Sequence, residues 1–453
     1  MPPVIVWFEN DLRKSDHAAL QAAADSGQPV IPFFAWNGGE GWADGSASRW
    51  WLHHSLAAHA EALQAAGLQL VIRQGDPADE VVRLACETGA EAVYWQERPE
   101  PHRARRDDEI QRRLEEKDID VRRFAGALLH NPDAIQTGSG GPYKVFTPFY
   151  KKFLAEGTPV DEPSGTPRFS DVQATPDVSG TPLEALELLP KIDWAGGIDA
   201  AWNPGERSAR GKLSQLDMSD YADERDIPSI DGTSQLSPHL HFGEISIRQA
   251  WHASSDEDFR RELVWRDFAH HVLHHFPHTV TEPLREEFEA FPWREDSQAL
   301  QAWQQGRTGY PMVDAGMRQL WETGWMHNRV RMIVASFLTK HLLLSWRHGQ
   351  AWFNDTLVDA DLANNTFGWQ WAGGCGADAQ PFFRIFNPIT QGDKFDPDGA
   401  YVRKWVPELK DVPDKHLFEP WDTDVVPEQY PAPIVEHKEA RERALEAYQK
   451  LKN

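Results

Sequence analysis

The first third of the chain alternates short apolar runs with longer stretches of helical spacing. The runs are VIVWF (4–8), PVIPFFAW (29–36), LQLVIR (68–73) and AEAVYW (90–95). Each has the length and the β-branched and aromatic content of a strand buried on both faces. Between them, HAALQAAADSG, RWWLHHSLAAHAEALQAAG and PADEVVRLACETG repeat apolar residues at three- and four-residue intervals, the pattern of one helix face. Gly27, Gly67 and Gly89 stand where those helices should stop. Strands alternating with helices predict a doubly wound parallel sheet, an α/β domain over 1–130. No G-x-G-x-x-G follows the first run, so this is not a dinucleotide-binding sheet of the usual kind.

Residues 131–200 are rich in Pro, Gly, Ser and Thr and show little periodicity, which predicts a long connection. Its TGSGG run lacks the Lys-Ser/Thr that completes a phosphate loop and reads as a turn. From about 201 to 453 the β-branched runs vanish. FRRELVWRDFAHHVLHHF (259–276), VDAGMRQLWETG (313–324), NRVRMIVASFLTKHLLLSWRHG (328–349) and HKEARERALEAYQKLK (437–452) predict an all-α second domain.

Composition changes this picture in three ways. A chain of 453 residues is too long for one core. The net charge of −24 argues against nucleic acid as a partner, but residues 260–404 hold 15 Lys/Arg against 17 Asp/Glu, a balance of 15 − 17 = −2. That region can carry a locally basic surface on an acidic molecule. Of the 20 tryptophans, nine lie between 265 and 371, which points to stacking or electron transfer as well as packing. Cys86 and Cys375 support neither a disulfide framework nor a cysteine metal site. No apolar run is long enough to cross a bilayer, and MPPVIVWFENDLRK is not a signal peptide; a cytoplasmic monomer is expected.

Four constellations offer chemistry. His270/His274 and His271/His275 are spaced i, i+4, but no third ligand lies nearby in sequence, so no metal is expected. GTSQLSPHLHFGEIS (232–246) sets Thr233, Ser234 and Ser237 ahead of a helical segment, as a phosphate site or simply as caps. ELVWRDF and GWMHNRVRM place Arg beside Trp, in structural pairs or at a nucleic-acid backbone. DADLANNTFGWQW (359–371) packs carboxylates, amides and indoles together; Asn365 and Trp369 share a face if it is helical.

These segments, with WFENDLR (7–13), RWWLHHSL (49–56), YKVFTPF (143–149), TGYPMVDAGMRQLWETGWMHNRVRM (308–332), DADLANNTFGWQWAGGCGADAQPFFRIFNP (359–388) and QGDKFDPDGAYVRKWVPEL (391–409), resemble the photolyase/cryptochrome family nearly end to end. The resemblance implies an α/β domain, a linker, and an all-α domain that binds FAD. Carried over by position, Tyr221, Thr233, Ser234, Gln235, Leu236 and Ser237 would line the FAD phosphates. Asp359, paired with Arg331, and Asp361 would contact the flavin and ribose side, and Asn365 would face flavin N5. Trp369, Trp346 and Trp293 match the family's electron chain. Glu262, Trp265, Asn328 and Met332 match the lesion pocket, and Arg225, Arg266, Arg329, Arg384 and Gln391 the contacts to the DNA backbone.

Within the family, Asn365 and the Glu262/Trp265 pair resemble enzymes that repair cyclobutane pyrimidine dimers; plant cryptochromes carry an acid at the position of Asn365. HNRVRM lacks the histidine pair of (6-4) photoproduct enzymes. The alternative is a signalling cryptochrome, but the sequence ends at Asn453 without an extended tail, which favours repair. RWWLHHSL and SPHLHFGEIS lean toward the class III photolyases, which implies 5,10-methenyltetrahydrofolate as antenna, although His102 replaces the acid of the usual folate motif. Glu9 stands where arginine is usual, so a surface contact there is expected to be lost.

Overall fold

The computed structural model describes residues 1–38, 44–169, 178–379, 381–422 and 428–452. The chain divides into two compact units: Met1–Ala195 with Trp202–Asp217 and Ser234–His275, and Gly196–Ala201 with Met218–Thr233 and Phe276–Asn453.

In the first unit the apolar runs become β1 (Val4–Phe8), β2 (Val30–Trp36), β3 (Val71–Gln74) and β4 (Ala92–Gln96). A further strand, β5 (Asp120–Phe124), completes a sheet of order β3-β2-β1-β4-β5 in which every pairing is parallel. Val4 lies between Val30 and Ala92, so β1 is central and its residues are all buried. β5 carried no apolar run: it is an edge strand none of whose residues is buried. Its sequence is DVRRF, and Arg123 faces Glu97 and Asp108 at 2.9 and 2.7 Å. Charged side chains on an edge strand block pairing with other chains.

Ile5, Trp7, Ile31, Phe33, Val93 and Trp95 pack with Val81, Leu84, Ile110 and Leu114 of the flanking helices. The helix Pro77–Thr88 shows why the pattern was legible. Asp76 accepts from the N–H groups of Ala78 and Asp79, Pro77 needs no N–H donor there, and Gly89 closes the helix at φ 59°. The connection after residue 130 is more ordered than its composition predicts. It contains the helix Phe146–Glu156, whose Phe146, Phe149 and Phe153 form a buried i, i+3, i+7 stripe.

The second unit is helical among its described residues. Its core gathers Trp303, Tyr310, Met312, Val330, Val334, Leu338, Trp346 and Trp369. Asp314 ties the entry of the helix Pro311–Thr323 in place: it accepts from Thr308 N and Oγ1 (both 2.7 Å), Gly309 N (3.0 Å) and Tyr430 OH (2.7 Å). A π-helical turn, Phe337–His341, buries Lys340, whose Nζ donates to the Arg384 carbonyl at 3.0 Å.

Burial lowers the Lys340 ammonium to about 7, against about 10.4 in an unfolded chain. Between those values the unfolded chain binds the extra proton, so this group makes stability rise with pH. The Cys375 thiol, pushed up to about 12 by burial, acts in the opposite sense above its ordinary value of about 8.5. The clean window is therefore pH 7 to about 8.5, with a slope of about 1.4 kcal/mol per pH unit from Lys340. In Lys340→Met this component should vanish, read as the pH dependence of the urea midpoint; an unchanged slope would mean that Lys340 stays protonated in the fold.

Candidate functional site

In the second unit the segment DADLANNTFGWQW starts as a turn and continues as the helix Leu362–Gly373. Asp361 is its N-cap, accepting from Asn364 N at 2.9 Å and Asn364 Nδ2 at 2.6 Å. Asp359 is buried and takes Arg331 Nη2 on both oxygens, at 3.1 and 2.8 Å. Arg331 Nε donates in turn to the Met326 carbonyl at 2.7 Å. The pair therefore leaves no uncompensated charge at this place. Asn365 is half-buried, and its Nδ2 donates to the Gln350 carbonyl at 3.0 Å. That bond fixes the amide plane and leaves Oδ1 as an oriented, neutral acceptor.

The helix Asn328–Ser336 begins nearby in sequence. His327 caps it, with Nδ1 accepting from Arg329 N at 3.2 Å. Burial pushes the His327 imidazole down to about 4, so the ring is neutral and the cap holds at physiological pH. Asn328 is exposed, and Arg329 and Met332 are half-buried. Arg329 is not a loose surface cation: it pairs with Asp226 and lies over the Phe395 ring at 4.4 Å. Arg225 lies over the Tyr221 ring at 5.2 Å. Arg384 is exposed and Gln391 half-buried.

The three matched tryptophans belong to one apolar cluster. Trp369 and Trp346 are buried inside it and Trp293 is half-buried against it, so only the last of the series is accessible. Trp369 sits against the backbone of Gly349, where an added Cβ would lie 2.1 Å from the indole; no other residue fits there. Its ring meets the edges of Phe353 and Trp303 with centroids 4.9 and 6.0 Å apart. Gln350, Gly349 and Trp303 are partners that the sequence reading missed. The GQ pair on the helix Trp346–Thr356 carries no signal until the packing is known.

In the first unit Glu262, Trp265 and Arg266 lie on the helix Glu257–His275. Trp265 is stacked on Phe146, centroids 3.5 Å apart and planes 9° from parallel. Phe146 comes from the YKVFTPF segment, which explains why that segment accompanies ELVWRDF. Leu236 is buried and Thr233, Ser234, Gln235 and Ser237 are half-buried. Gln235 adopts φ 49°, and Ser234 Oγ accepts from Leu236 N at 3.4 Å.

Most of SPHLHFGEIS is structural. Glu244 Oε1 accepts from Trp51 Nε1 (3.0 Å) and Gly205 N (2.7 Å), and its other oxygen bonds His239. Trp51 belongs to RWWLHHSL, so one buried carboxylate joins the two segments. Gly243, at φ 61°, lies so close to the Asn10 carbonyl that a Cβ would come within 2.2 Å of it.

Glu9 is not left without a partner: its carboxylate takes Arg106 on both oxygens, at 2.8 and 2.7 Å, and Arg106 also covers the Trp7 ring at 4.7 Å. Burial raises the Glu9 carboxyl, but Arg106 and Arg103 outweigh it, and the net displacement is downward. Neighbouring Asp107, which accepts from Trp95 Nε1 at 3.0 Å, is pushed up to about 6 by burial and then by Glu9.

Set against known proteins, residues 4–168 match the model of the DNA photolyase domain, and residues 259–450 match the FAD binding domain of DNA photolyase. The chain belongs to the DNA photolyase family. It is 48% identical to a deoxyribodipyrimidine photo-lyase of Agrobacterium fabrum, over 99% of this chain and 98% of that one. Cryptochrome-2 of Arabidopsis thaliana is 36% identical over 98% of this chain and 78% of its own length. Among solved structures, a bacterial class III photolyase from Agrobacterium tumefaciens superposes with a TM-score of 0.94 at 46% identity, covering 100% of this chain and 98% of that one. The parallel sheet followed by a helical FAD-binding domain is the photolyase architecture. No described helix is long and apolar enough to cross a membrane.

The donor set suits the cofactor of a photolyase. Paired and capping carboxylates can accept from ribose and ring N–H groups, hydroxyls and backbone N–H groups can meet phosphates, and the neutral amide of Asn365 can meet a redox-active ring. Photolyase membership also explains the missing glycine fingerprint on β1: the FAD-binding match lies in the helical half.

Proposed function

We propose that this chain is a light-driven repair enzyme that splits cyclobutane pyrimidine dimers in DNA. The observation that carries the reading is Asn365: a neutral amide, clamped by Gln350, stands where plant cryptochromes carry an acid. When bound and reduced, FAD supplies on absorbing light the electron that opens the cyclobutane ring and takes it back afterwards.

The residues of the chain bind, orient and compensate charge. Tyr221, Thr233, Ser234, Gln235, Leu236 and Ser237 meet the FAD phosphates. Asp359 and Asp361 accept from ring and ribose donors. Arg331 cancels the charge of Asp359, so that carboxylate adds no net charge beside an anionic cofactor. The Asn365 Oδ1 accepts from the ring N–H without adding charge. Trp369, Trp346 and Trp293 carry an electron inward when the cofactor must be reduced. For the substrate, Trp265 stacks on the extruded bases with Phe146 supporting its other face. Glu262 hydrogen-bonds the pyrimidine edge and stabilises charge developing on its carbonyl. On the second unit, Asn328 and Met332 are matched by the resemblance to lesion contacts. Extrusion costs a few kcal/mol, least for a lesion that already pairs badly. Arg225, Arg266, Arg329, Arg384 and Gln391 hold the DNA backbone, and a phosphate reaching Arg329 competes with Asp226.

The antenna in this reading is 5,10-methenyltetrahydrofolate. It is supported by the class III character of RWWLHHSL and SPHLHFGEIS, and its test is the chromophore released on denaturation.

Glu262→Ala tests the pocket. Its repair yield should fall about tenfold or more, a barrier change of about 1.4 kcal/mol or above. Flavin content should match the parent protein. Full yield in this variant would remove Glu262 from the reaction.

A further inference from the structure

The sequence paired the histidines of the helix Glu257–His275 at i, i+4. The fold adds partners that the spacing does not show. His271 is fully engaged: Nδ1 lies 3.1 Å from the Pro132 carbonyl, and Nε2 accepts from Tyr143 N at 3.1 Å. His274 and His275, in the last turn, instead converge on Asp133, which is 141 residues away in sequence from His274. Asp133 Oδ1 lies 3.1 Å from His274 Nε2 and 3.9 Å from His275 Nε2.

We propose that Asp133, His274 and His275 form a divalent metal site of the zinc class, which clips the segment after β5 to the end of the helix that carries Glu262 and Trp265. Three considerations support it. The first is spacing. Two ligands on a tetrahedral zinc, each about 2.0–2.1 Å from the ion, lie about 3.3–3.4 Å apart. The three ligand atoms here all lie within 4.8 Å of one another, so side-chain rotations that shift them by up to about 1.5 Å bring them to that spacing.

The second is preorganisation. Asp133 N donates to Asn131 Oδ1 at 2.9 Å, and Gln136 Nε2 donates to the Asp133 carbonyl at 3.0 Å. The turn that presents the carboxylate is therefore already formed. His275 is packed edge-on against His271, centroids 4.5 Å apart, which limits its ring, and its Nε2 lies 3.2 Å from the Pro132 carbonyl, a hydrogen bond that the ion would replace.

The third is chemistry and access. Two imidazoles and one carboxylate suit Zn²⁺, Ni²⁺ or Cu²⁺ in preference to Mg²⁺ or Ca²⁺. The Asp133 side chain is 60% exposed, which leaves an entry path and room for a water as fourth ligand. Closing a loop this long through one ion restricts the unfolded chain more than a local contact would. The site is independent of the flavin and of repair.

The test is a calorimetric titration of the metal-stripped, flavin-loaded protein with Zn²⁺ at pH 7.5. The site predicts one ion bound per chain and at least tenfold weaker binding in both Asp133→Asn and His275→Gln. Exposed His278 provides the control: His278→Gln should bind as the parent does. Asp133 is exposed, so its variant is expected to fold and remains informative if His275→Gln does not. Absence of a stoichiometric ion in the parent protein, or parent-like binding in Asp133→Asn, would overturn the site.

Discussion

Arg331→Ala is expected to purify without flavin and with clearly lowered stability. The Asp359 side chain is only 3% exposed, and Arg331 is its cationic partner in this structure. Removing the arginine leaves a buried carboxylate uncompensated, which typically costs about 3–5 kcal/mol. Arg331 is itself 25% exposed, so water can reach part of the gap and the lower end of that range, about 3 kcal/mol, is the better expectation. The same change removes the hydrogen bond to the Met326 carbonyl, and with it a tie across the turn that precedes the helix Asn328–Ser336. Arg331→Lys should recover only part of the loss, because an ammonium cannot reproduce the guanidinium fork. Flavin absorbance per chain and the thermal midpoint report both effects. A variant with full flavin and an unchanged midpoint would show that Asp359 needs no partner and does not face the cofactor.

Trp369→Phe is expected to separate two reactions. Photoreduction of oxidised flavin should slow at least about tenfold, equivalent to about 1.4 kcal/mol on the barrier. Repair by enzyme whose flavin has been reduced chemically should proceed as in the parent, since that electron starts and ends on the cofactor. The substitution keeps an aromatic ring against Gly349 and Phe353, so the fold should tolerate it. Trp303→Phe supplies the comparison. Trp303 touches Trp369 edge-on but donates its Nε1 to the Val334 carbonyl at 3.1 Å and is fully buried. Its loss should affect stability more than photoreduction. Equal photoreduction in Trp369→Phe and the parent would take Trp369 out of the electron path.

What the sequence revealed follows from how each feature is encoded. β1, β2 and β4 were legible because a strand paired on both sides and buried is apolar along its length, and the edge strand β3 because its run still buries Val71 and Ile72, whereas the other edge, β5, carries DVRRF with no buried residue. The helix Phe146–Glu156 sat inside a Pro- and Gly-rich stretch, and composition masked its i, i+3, i+7 phenylalanines. At the site, the acids, amides and indoles of 359–371 were visible as an improbable cluster, and the Arg331–Asp359 pair that the resemblance implied is present. The supporting groups were not visible. Gln350 holds Asn365 through a backbone carbonyl, and any residue has one. Asp226 is an ordinary surface acid until Arg329 is seen beside it. The partner of Glu9 was not visible because Arg106 is 97 residues away and itself departs from any local pattern. At the histidines, helical periodicity showed the i, i+4 pairs, of which His271 and His275 are in ring contact, but could not show the remote Asp133 beside His274 and His275.

The most direct test of the account uses the purified protein, its flavin fully reduced, mixed with DNA containing cyclobutane pyrimidine dimers and split between blue light and darkness. The account predicts dimer loss in the light, none in the dark, and none in the light without protein. Dimers that persist in the light, with the reduced flavin still bound, would contradict it and favour the photoreceptor reading.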